Sequence, residues 1–407
     1  MERVFCHIDS KKDDIVDFTK KLIFIPTVNP PGENYERIVK ILERRLKALG
    51  LTTKRYLTPP HVLKKYKIKN GSPRITLIAR WNVGAKKTLH INGHYDVVPA
   101  TSNWKTDPFK PVIKDGKLYG RGAEDMKSDI ACMLFAVEAL KSQGMTPKVN
   151  IEFSFVPDEE TGGETGLGYI INKGIVNPDY ALGEGYWKDY VSIGNKGVLW
   201  LEIEVKGRSC HGSSPHKGIN AFEKMVDVAN AIKNLKARIS KRKTKYAALD
   251  KRDRYATLVI GGEMKGGLKV NVVPDKATFT IDRRILPEES LDKAEEEIRN
   301  VITRLKKRDR SLKVNTRIIT KDIPVVVDNK TILNAMGRAI NKIFKKRPKF
   351  AVQPGGTDLR FFIKKGIPAV GYGPYGGSKF HADDEYVFID SLPKTTKVFA
   401  QFIMNLN

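Results

Sequence analysis

The sequence predicts an α/β catalytic domain interrupted by a smaller α+β domain, and three observations carry that prediction. Strand-like and amphipathic helical segments alternate from Asp9 to about Trp187. After Asn195 the texture changes to half-buried, alternating strands, and from about Lys321 the α/β texture returns. The expected organisation is a catalytic domain in two segments, 1–195 and 321–407, around an insert spanning 196–320.

The elements follow in order. Residues 34–49 place Tyr35, Ile38, Val39, Leu42, Leu46 and Leu49 on one helical face, and Gly50 stops the helix. Strands are predicted at RITLIARW (74–81), KTLHING (87–93) and VNIEFSFV (149–156), with a helix at about 126–142 between the second and third. Strands alternating with helices imply a sheet whose polar residues collect beyond the strand C-termini. In the insert, GVLWLEIEVKG (197–207), KATFTIDRRIL (276–286) and LKVNTRII (312–319) read as strands, with helices at about 219–237 and 289–307. That β-α-β-β-α-β order describes a ferredoxin-like insert. There is no internal repeat and no low-complexity linker.

Composition narrows the function classes. The 407-residue chain is 41% hydrophobic and 29% charged, the balance of a soluble globular protein. Its first residues, MERVFCHIDSKKDD, are too polar for a secretory signal, and no apolar run approaches the roughly 20 residues that span a bilayer. A cytoplasmic protein with no membrane partner is expected. Cys6, Cys132 and Cys210 are odd in number and far apart, so neither a disulfide framework nor a CxxC metal site is indicated. The net charge of +27 raises a nucleic-acid reading. The basic residues are spread along the chain, however, and a solvated surface is the preferred explanation.

Five stretches carry the chemistry. INGHYDVVP places His94 and Asp96 just beyond a strand; the His-x-Asp pattern alone is weak, since it also occurs at His7/Asp9 and His381/Asp383. LYGRGAEDMKSD puts Asp125 near a helix N-terminus, where an ordinary N-cap is the alternative. VPDEETGG sets Asp158, Glu159 and Glu160 in a row, three anions that need neighbouring positive charge. ALGEGYW supplies Glu184 after an apolar strand, and FHADDEY supplies His381 and Glu385. Two histidines and several carboxylates at one sheet edge form a ligand set suited to two zinc-like ions without thiolates.

These motifs resemble, in order and across nearly the whole chain, those of the M20 (aminoacylase-1-like) metallohydrolases, within them the acetylornithine deacetylase and succinyl-diaminopimelate desuccinylase branch. The matching stretches are TVNPPGENYE (27–36), NGHYDVVPA (92–100), WKTDPFKPVIKDGKLYGRGAEDMK (104–127), PDEETGG (157–163), VNVVP (270–274), GGTDLRFF (355–362) and HADDEY (381–386). The resemblance implies a zinc-peptidase α/β/α catalytic domain with an inserted lid or dimerisation domain. It implies that Asp125 bridges two divalent metal ions, Zn²⁺ or alternatively Co²⁺, with His94 and Glu184 completing one site and Glu160 and His381 the other. Asp96 would orient His94, and Glu159 would be the general base. In SCHGSSPH, His211 would reach a neighbouring subunit's active site, so a homodimer through the lid is implied. Asn271, Arg284, Gly356 and Thr357 match substrate-contacting positions, although Arg284 also reads as a strand-end salt-bridge residue.

The chain departs from the branch pattern in three places: Glu184 is followed by GYWKD, DMKGG becomes DMKSD, and the histidine motif becomes HADDEY. No ligand is lost, but inference about the acyl group is loosened. The expected function is metal-dependent cleavage of the amide bond in a small N-acyl amino acid or short peptide. A dipeptidase, aminopeptidase or carboxypeptidase of the same family is the alternative, and a non-catalytic nucleic-acid-binding protein the remote one.

Overall fold

The computed structural model describes residues 1–68, 71–377 and 380–407. It comprises two compact units: Met1–Ile193 with Val327–Phe350 and Thr357–Asn407, and Gly194–Val326 with Ala351–Gly356.

Four parallel strands form the centre of the sheet in the first unit, in the spatial order Asn150–Val156, Thr88–His94, Tyr180–Tyr186 and Ala369–Tyr372. Ile75–Trp81 and then Thr52–Leu57 extend it antiparallel beside Asn150–Val156. Because the central strands run the same way, their C-terminal ends share one edge, which is where open α/β sheets bind ligands.

Both faces of the central strands are covered, so these strands are buried on both sides rather than alternating in and out. On one face lies the Lys127–Ser142 helix, in which every residue from Ile130 to Val137 is buried. It packs against the Thr88–His94 strand on one side and the Lys12–Ile23 and Ser391–Asn405 helices on the other, which explains its lack of a polar stripe. The approach is close: a Cβ on Gly93 would come within 2.9 Å of Ile130. The Leu359–Lys364 helix brings Phe362 to 5.0 Å, centroid to centroid, from the His90 ring. The Tyr35–Ala48 helix buries Tyr35, Ile38, Val39, Leu42 and Leu46, while Leu49 falls just past its end and is only half-buried.

A small antiparallel sheet pairs Tyr386–Phe388 with Lys117–Tyr119. Its register sets the loop that follows Tyr119 against the loop that precedes Tyr386, and Gly120 N donates to Glu385 O at 3.0 Å.

The second unit has a four-stranded antiparallel sheet ordered Thr257–Gly266, Lys276–Ile285, Gly197–Lys206 and Lys313–Asp322. The Ala221–Ile239 and Leu291–Arg308 helices bury Val228, Ile232, Ile298 and Val301 against Leu201, Ile203, Phe279 and Ile281. Side-chain caps start both helices: Asn220 accepts from Phe222 N and Glu223 N, and Ser290 from Lys293 N. Strand, helix, strand, strand, helix, strand is the ferredoxin-like order.

Candidate metal centre

The parallel-strand edge collects the acidic and imidazole side chains. His94 ends its strand, and Glu184 stands near the end of the neighbouring Tyr180–Tyr186 strand. Val156 ends a third strand; after Pro157 and Asp158 the chain forms a short 3₁₀ turn, Glu159–Thr161, that carries Glu160. Asp125 precedes the Lys127–Ser142 helix, and His381 lies on the loop leading to Tyr386.

Asp125 is the shared member of two clusters. His94 Nε2 lies 3.0 Å from Asp125 Oδ1 and 3.3 Å from Glu184 Oε2. His381 Nε2 lies 3.4 Å from Asp125 Oδ2 and 2.9 Å from Glu160 Oε2. Within each trio, His94–Asp125–Glu184 and Asp125–Glu160–His381, the donor atoms lie within 4.8 Å of one another. Each trio offers one imidazole nitrogen and two carboxylates, which matches zinc-type chemistry and dispenses with thiolate. Asp125 is not an ordinary cap, for the following helix has no side-chain cap hydrogen bond.

The supporting contacts come from residues distant in sequence. Glu385, buried, accepts from the backbone N–H groups of Glu124 and Asp125 at 2.8 and 3.1 Å and from Arg121 Nη1 at 2.7 Å. Asp358, also buried, approaches the glycine turn after Glu160: a Cβ on Gly163 would lie 2.3 Å from its Oδ1. Asp158 is held by Arg74 Nε at 3.0 Å, Asn29 Nδ2 at 3.0 Å, Tyr35 Oη at 3.1 Å and Thr165 Oγ1 at 2.5 Å. The first anion of VPDEETGG therefore anchors the turn, and the Arg74 guanidinium supplies its countercharge.

Asp96 meets His94 through both its backbone and its side chain: His94 Nδ1 is 3.0 Å from the Asp96 carbonyl oxygen and 3.5 Å from its carboxylate. That carboxylate also accepts from Asn29 Nδ2 at 2.9 Å and from the backbone N–H groups of Glu159 and Glu160 at 3.2 and 3.3 Å. Asp96 thus links the imidazole to the turn carrying both glutamates. The aspartates of HADDEY engage other partners: Asp383 accepts from Thr101 Oγ1, and Asp384 from Lys105 N at 2.9 Å.

Burial dominates the electrostatics. It pushes the Glu159 carboxyl well up, helped by the neighbouring Glu184 charge. Burial and the Asp125 charge raise Glu160 to about 7. Burial also raises Asp129, with the Glu184 and Asp125 charges adding to the effect. For His94 burial works the other way, yet the carboxylates of Asp125, Asp96 and Glu184 outweigh it and the imidazole is raised well above its ordinary value. Hydrogen bonds to Asp125 and Glu160 raise His381 to about 10. Burial would raise Asp125, but the two imidazoles reverse that and hold it below its ordinary range. The protonated imidazoles thus supply the positive charge that this crowd of carboxylates requires, the place that divalent cations would take.

The remaining sequence-predicted residues lie elsewhere in the chain. His211 and Asn271 belong to the second unit, where Gly212 N donates to Asn271 O at 2.8 Å and His211 Nδ1 lies 2.7 Å from Ser213 Oγ. His211 is exposed. Arg284, in the same unit, pairs with Asp282 of its own strand at 2.9 Å and lies over the Trp200 ring of the neighbouring strand, so its guanidinium is engaged within the sheet. Thr357 belongs to the first unit and Gly356 to the second. Thr357 is buried, and its carbonyl accepts from Arg360 Nη1 at 2.8 Å. Arg360 also donates through Nη2 to Gly162 O, tying this segment to the turn after Glu160.

A two-cluster centre with a shared carboxylate, at the C-terminal edge of an α/β sheet, is the donor set of a dinuclear metallohydrolase. The chain belongs to peptidase family M20/M25/M40, whose model matches residues 90–405. It is therefore a metal-dependent hydrolase of amide or peptide bonds. An uncharacterized metallohydrolase of Methanocaldococcus jannaschii is 29% identical, covering 96% of this chain and 99% of the relative. Succinyl-diaminopimelate desuccinylase of Pelagibacter ubique is 26% identical, covering 96% of this chain and 98% of the relative. Among solved structures, human carnosine dipeptidase 1 shares the fold with a TM-score of 0.76 at 22% identity, covering 99% of this chain and 98% of that one. No helix among the described residues is long and apolar enough to cross a membrane.

Proposed function

We propose that this protein hydrolyses the amide bond of a small N-acyl amino acid or short peptide at a dinuclear centre. The observation that carries the reading is the pair of His-carboxylate trios sharing Asp125. In this assignment His94 and Glu184 hold one ion, Glu160 and His381 the other, and Asp125 both; Zn²⁺ suits the donors, with Co²⁺ as a substitute. Bound divalent ions would supply Lewis acidity towards the amide carbonyl and the attacking water.

The remaining roles fall to the chain. Glu159 is the general base that takes the water proton and returns it to the leaving amine, and its raised affinity for a proton suits that task. The hydrogen bond from its backbone N–H to Asp96, with the neighbouring one from Glu160, fixes the turn that presents it. His211 is assigned to the oxyanion of a neighbouring subunit's reaction, which requires a homodimer through the second unit. Asn271, Arg284, Gly356 and Thr357 are the assigned substrate contacts, with Arg284 having to leave its Asp282 pair to serve.

The relatives include a desuccinylase and, by fold, a dipeptidase, so the substrate panel must span both chemistries. N-acetyl and N-succinyl amino acids and dipeptides, assayed with Zn²⁺ or Co²⁺ added and with chelator, test the reading. Cleavage of an acyl amino acid that chelator abolishes supports it; preference for dipeptides moves the assignment to a peptidase; no metal-dependent turnover on either class overturns it.

A further inference from the structure

A row of buried polar groups runs through the sheet below the metal centre. On the Thr88–His94 strand, His90, Asn92 and His94 lie on one face at i, i+2 and i+4. In register across the parallel partner, Glu152 faces His90 and Ser154 faces Asn92. All four of His90, Asn92, Glu152 and Ser154 are buried, which is costly unless each is hydrogen-bonded.

They are, and in a connected line. Asn92 Nδ2 donates to Asp358 Oδ2 at 3.4 Å, turning Asn92 Oδ1 towards Ser154 Oγ, which donates to it at 2.7 Å. With its own hydrogen used, Ser154 Oγ is left to accept from His90 Nε2, 2.6 Å away. His90 Nδ1 then meets Glu152 Oε1 at 2.8 Å, a contact that holds one proton between the two groups. The other oxygen of Glu152 accepts from Arg80 Nε at 2.6 Å, and Arg80 is half-exposed at the sheet surface. Every donor between His90 and Asp358 points towards Asp358.

We propose that His90, Ser154 and Asn92, anchored by the Glu152–Arg80 pair, are positioning residues that hold the Asp358 carboxylate against the glycine turn following Glu159 and Glu160. Asp358 needs such a hold: its Oδ1 is buried with no hydrogen-bond partner among the described residues. It lies where a Cβ on Gly163 would be, and two residues later Arg360 is bonded to Gly162 O. A shift of Asp358 is thus transmitted to the backbone that aims Glu159, and misplacement of a catalytic group by about 1 Å costs on the order of 100-fold in rate. Among the described residues the line's hydrogen bonds run to Asp358 and to Arg80 and none goes to a donor atom of either His-carboxylate trio, so its effect is on the base turn and not on metal loading.

The turnover arm of the test rests on the hydrolase reading above; the spectroscopic arm does not. In the metal-loaded full-length protein, ¹⁵N spectra of the histidine rings, with His90 assigned by its loss in His90→Phe, should show a protonated Nε2. An unprotonated Nε2 reverses the direction of the line and overturns the proposal whether or not a substrate is known. On the preferred substrate of the panel, Ser154→Ala should lower kcat on the order of tenfold, with KM within about twofold and metal content unchanged. Ser154→Thr should restore it. His90→Phe, which keeps the ring against Phe362, should lose a similar factor, and the double variant no more than either alone, because both cut one line. Unchanged kcat in Ser154→Ala, failure of Thr to rescue, or losses that multiply in the double variant would each overturn the proposal. If His90→Phe does not fold, the Ser154→Ala and Ser154→Thr pair still decides it.

Discussion

His94 Nδ1 is 3.0 Å from the carbonyl oxygen of Asp96 and 3.5 Å from its carboxylate, so the closer partner of the imidazole is backbone, not side chain. The Asp96 carboxylate also accepts from the Glu159–Thr161 turn, at 3.2 and 3.3 Å. Asp96→Asn keeps the carbonyl but turns one acceptor into a donor facing N–H groups. It should therefore lower kcat by roughly 10- to 100-fold while the affinity of the His94 site for metal stays within a few-fold of wild type. Metal titration alongside steady-state kinetics checks this. A large loss of metal with normal turnover per bound metal would show that the carboxylate acts through the ring.

Glu159→Gln removes the carboxylate assigned above as the proton acceptor while leaving the turn's backbone contacts to Asp96 in place. Turnover should fall by at least the roughly 10²–10⁴-fold attributed to general base catalysis, with metal content still near two per chain. Metal analysis and single-turnover kinetics on the same preparation separate the two effects. Wild-type turnover in this variant would remove Glu159 from the mechanism.

Gly163 has φ +73°, and a Cβ there would lie 2.3 Å from Asp358 Oδ1 and 2.9 Å from Phe361. Gly163→Ala thus combines a left-handed backbone with a steric collision. It should destabilise the protein by about 1–3 kcal/mol, read as a lowered urea midpoint. The variant should also lose activity, since the displaced turn carries Glu159.

How much of this was legible in the sequence depends on how local each interaction is. His94, Asp125, Glu160 and Glu184 each sit in a short motif next to a strand or helix boundary, so periodicity and spacing place them at one edge, whereas His381, on a loop before the small sheet, is carried there by motif resemblance. Asp158 carried no readable role because three of its partners, Asn29, Tyr35 and Arg74, lie more than eighty residues away in sequence, and only Thr165 is nearby. The direction of the Asp96 side chain was equally hidden, being set by a turn more than sixty residues away in sequence. KTLHING reads as a strand, but nothing local says that His90 is buried against Glu152, because that pairing depends on the register of two strands 62 residues apart. Glu385 was visible as an acidic residue near His381, and only the fold brings it to the backbone of Asp125.

Asp309, at the end of the Leu291–Arg308 helix, receives a hydrogen bond from Lys224 at 2.6 Å, and that bond with Ser311 lowers its pKa to about 2. A folded value below the unfolded value of about 3.9 means that the pair stabilises the second unit above roughly pH 4 and that this contribution is lost as pH falls through about 2. Both side chains are about 30% exposed (28% and 32%), so solvent screening limits the gain to roughly 1 kcal/mol or less. Asp309→Asn should lower the urea midpoint slightly at pH 7 and not at pH 2.

Metal binding should be coupled to proton release. In the metal-free protein His381 is raised to about 10 and Glu160 to about 7, and His94 is raised as well. At pH 7 the imidazoles therefore carry protons that must leave before nitrogen can ligate a cation. Apparent affinity for Zn²⁺ should rise with pH across the neutral range, because both imidazoles hold their protons above the ordinary histidine value. Calorimetric titration at pH 7 in buffers of different ionisation enthalpy should show a net release of protons, and stripping the metal with chelator the matching uptake. Glu160, raised to about 7, adds to the release near neutral pH, so release that continues well above pH 7 is what marks the imidazoles; affinity flat there would show them already neutral. His381→Ala should reduce the number of protons released and weaken the site it shares with Glu160, leaving the His94 trio able to bind one ion.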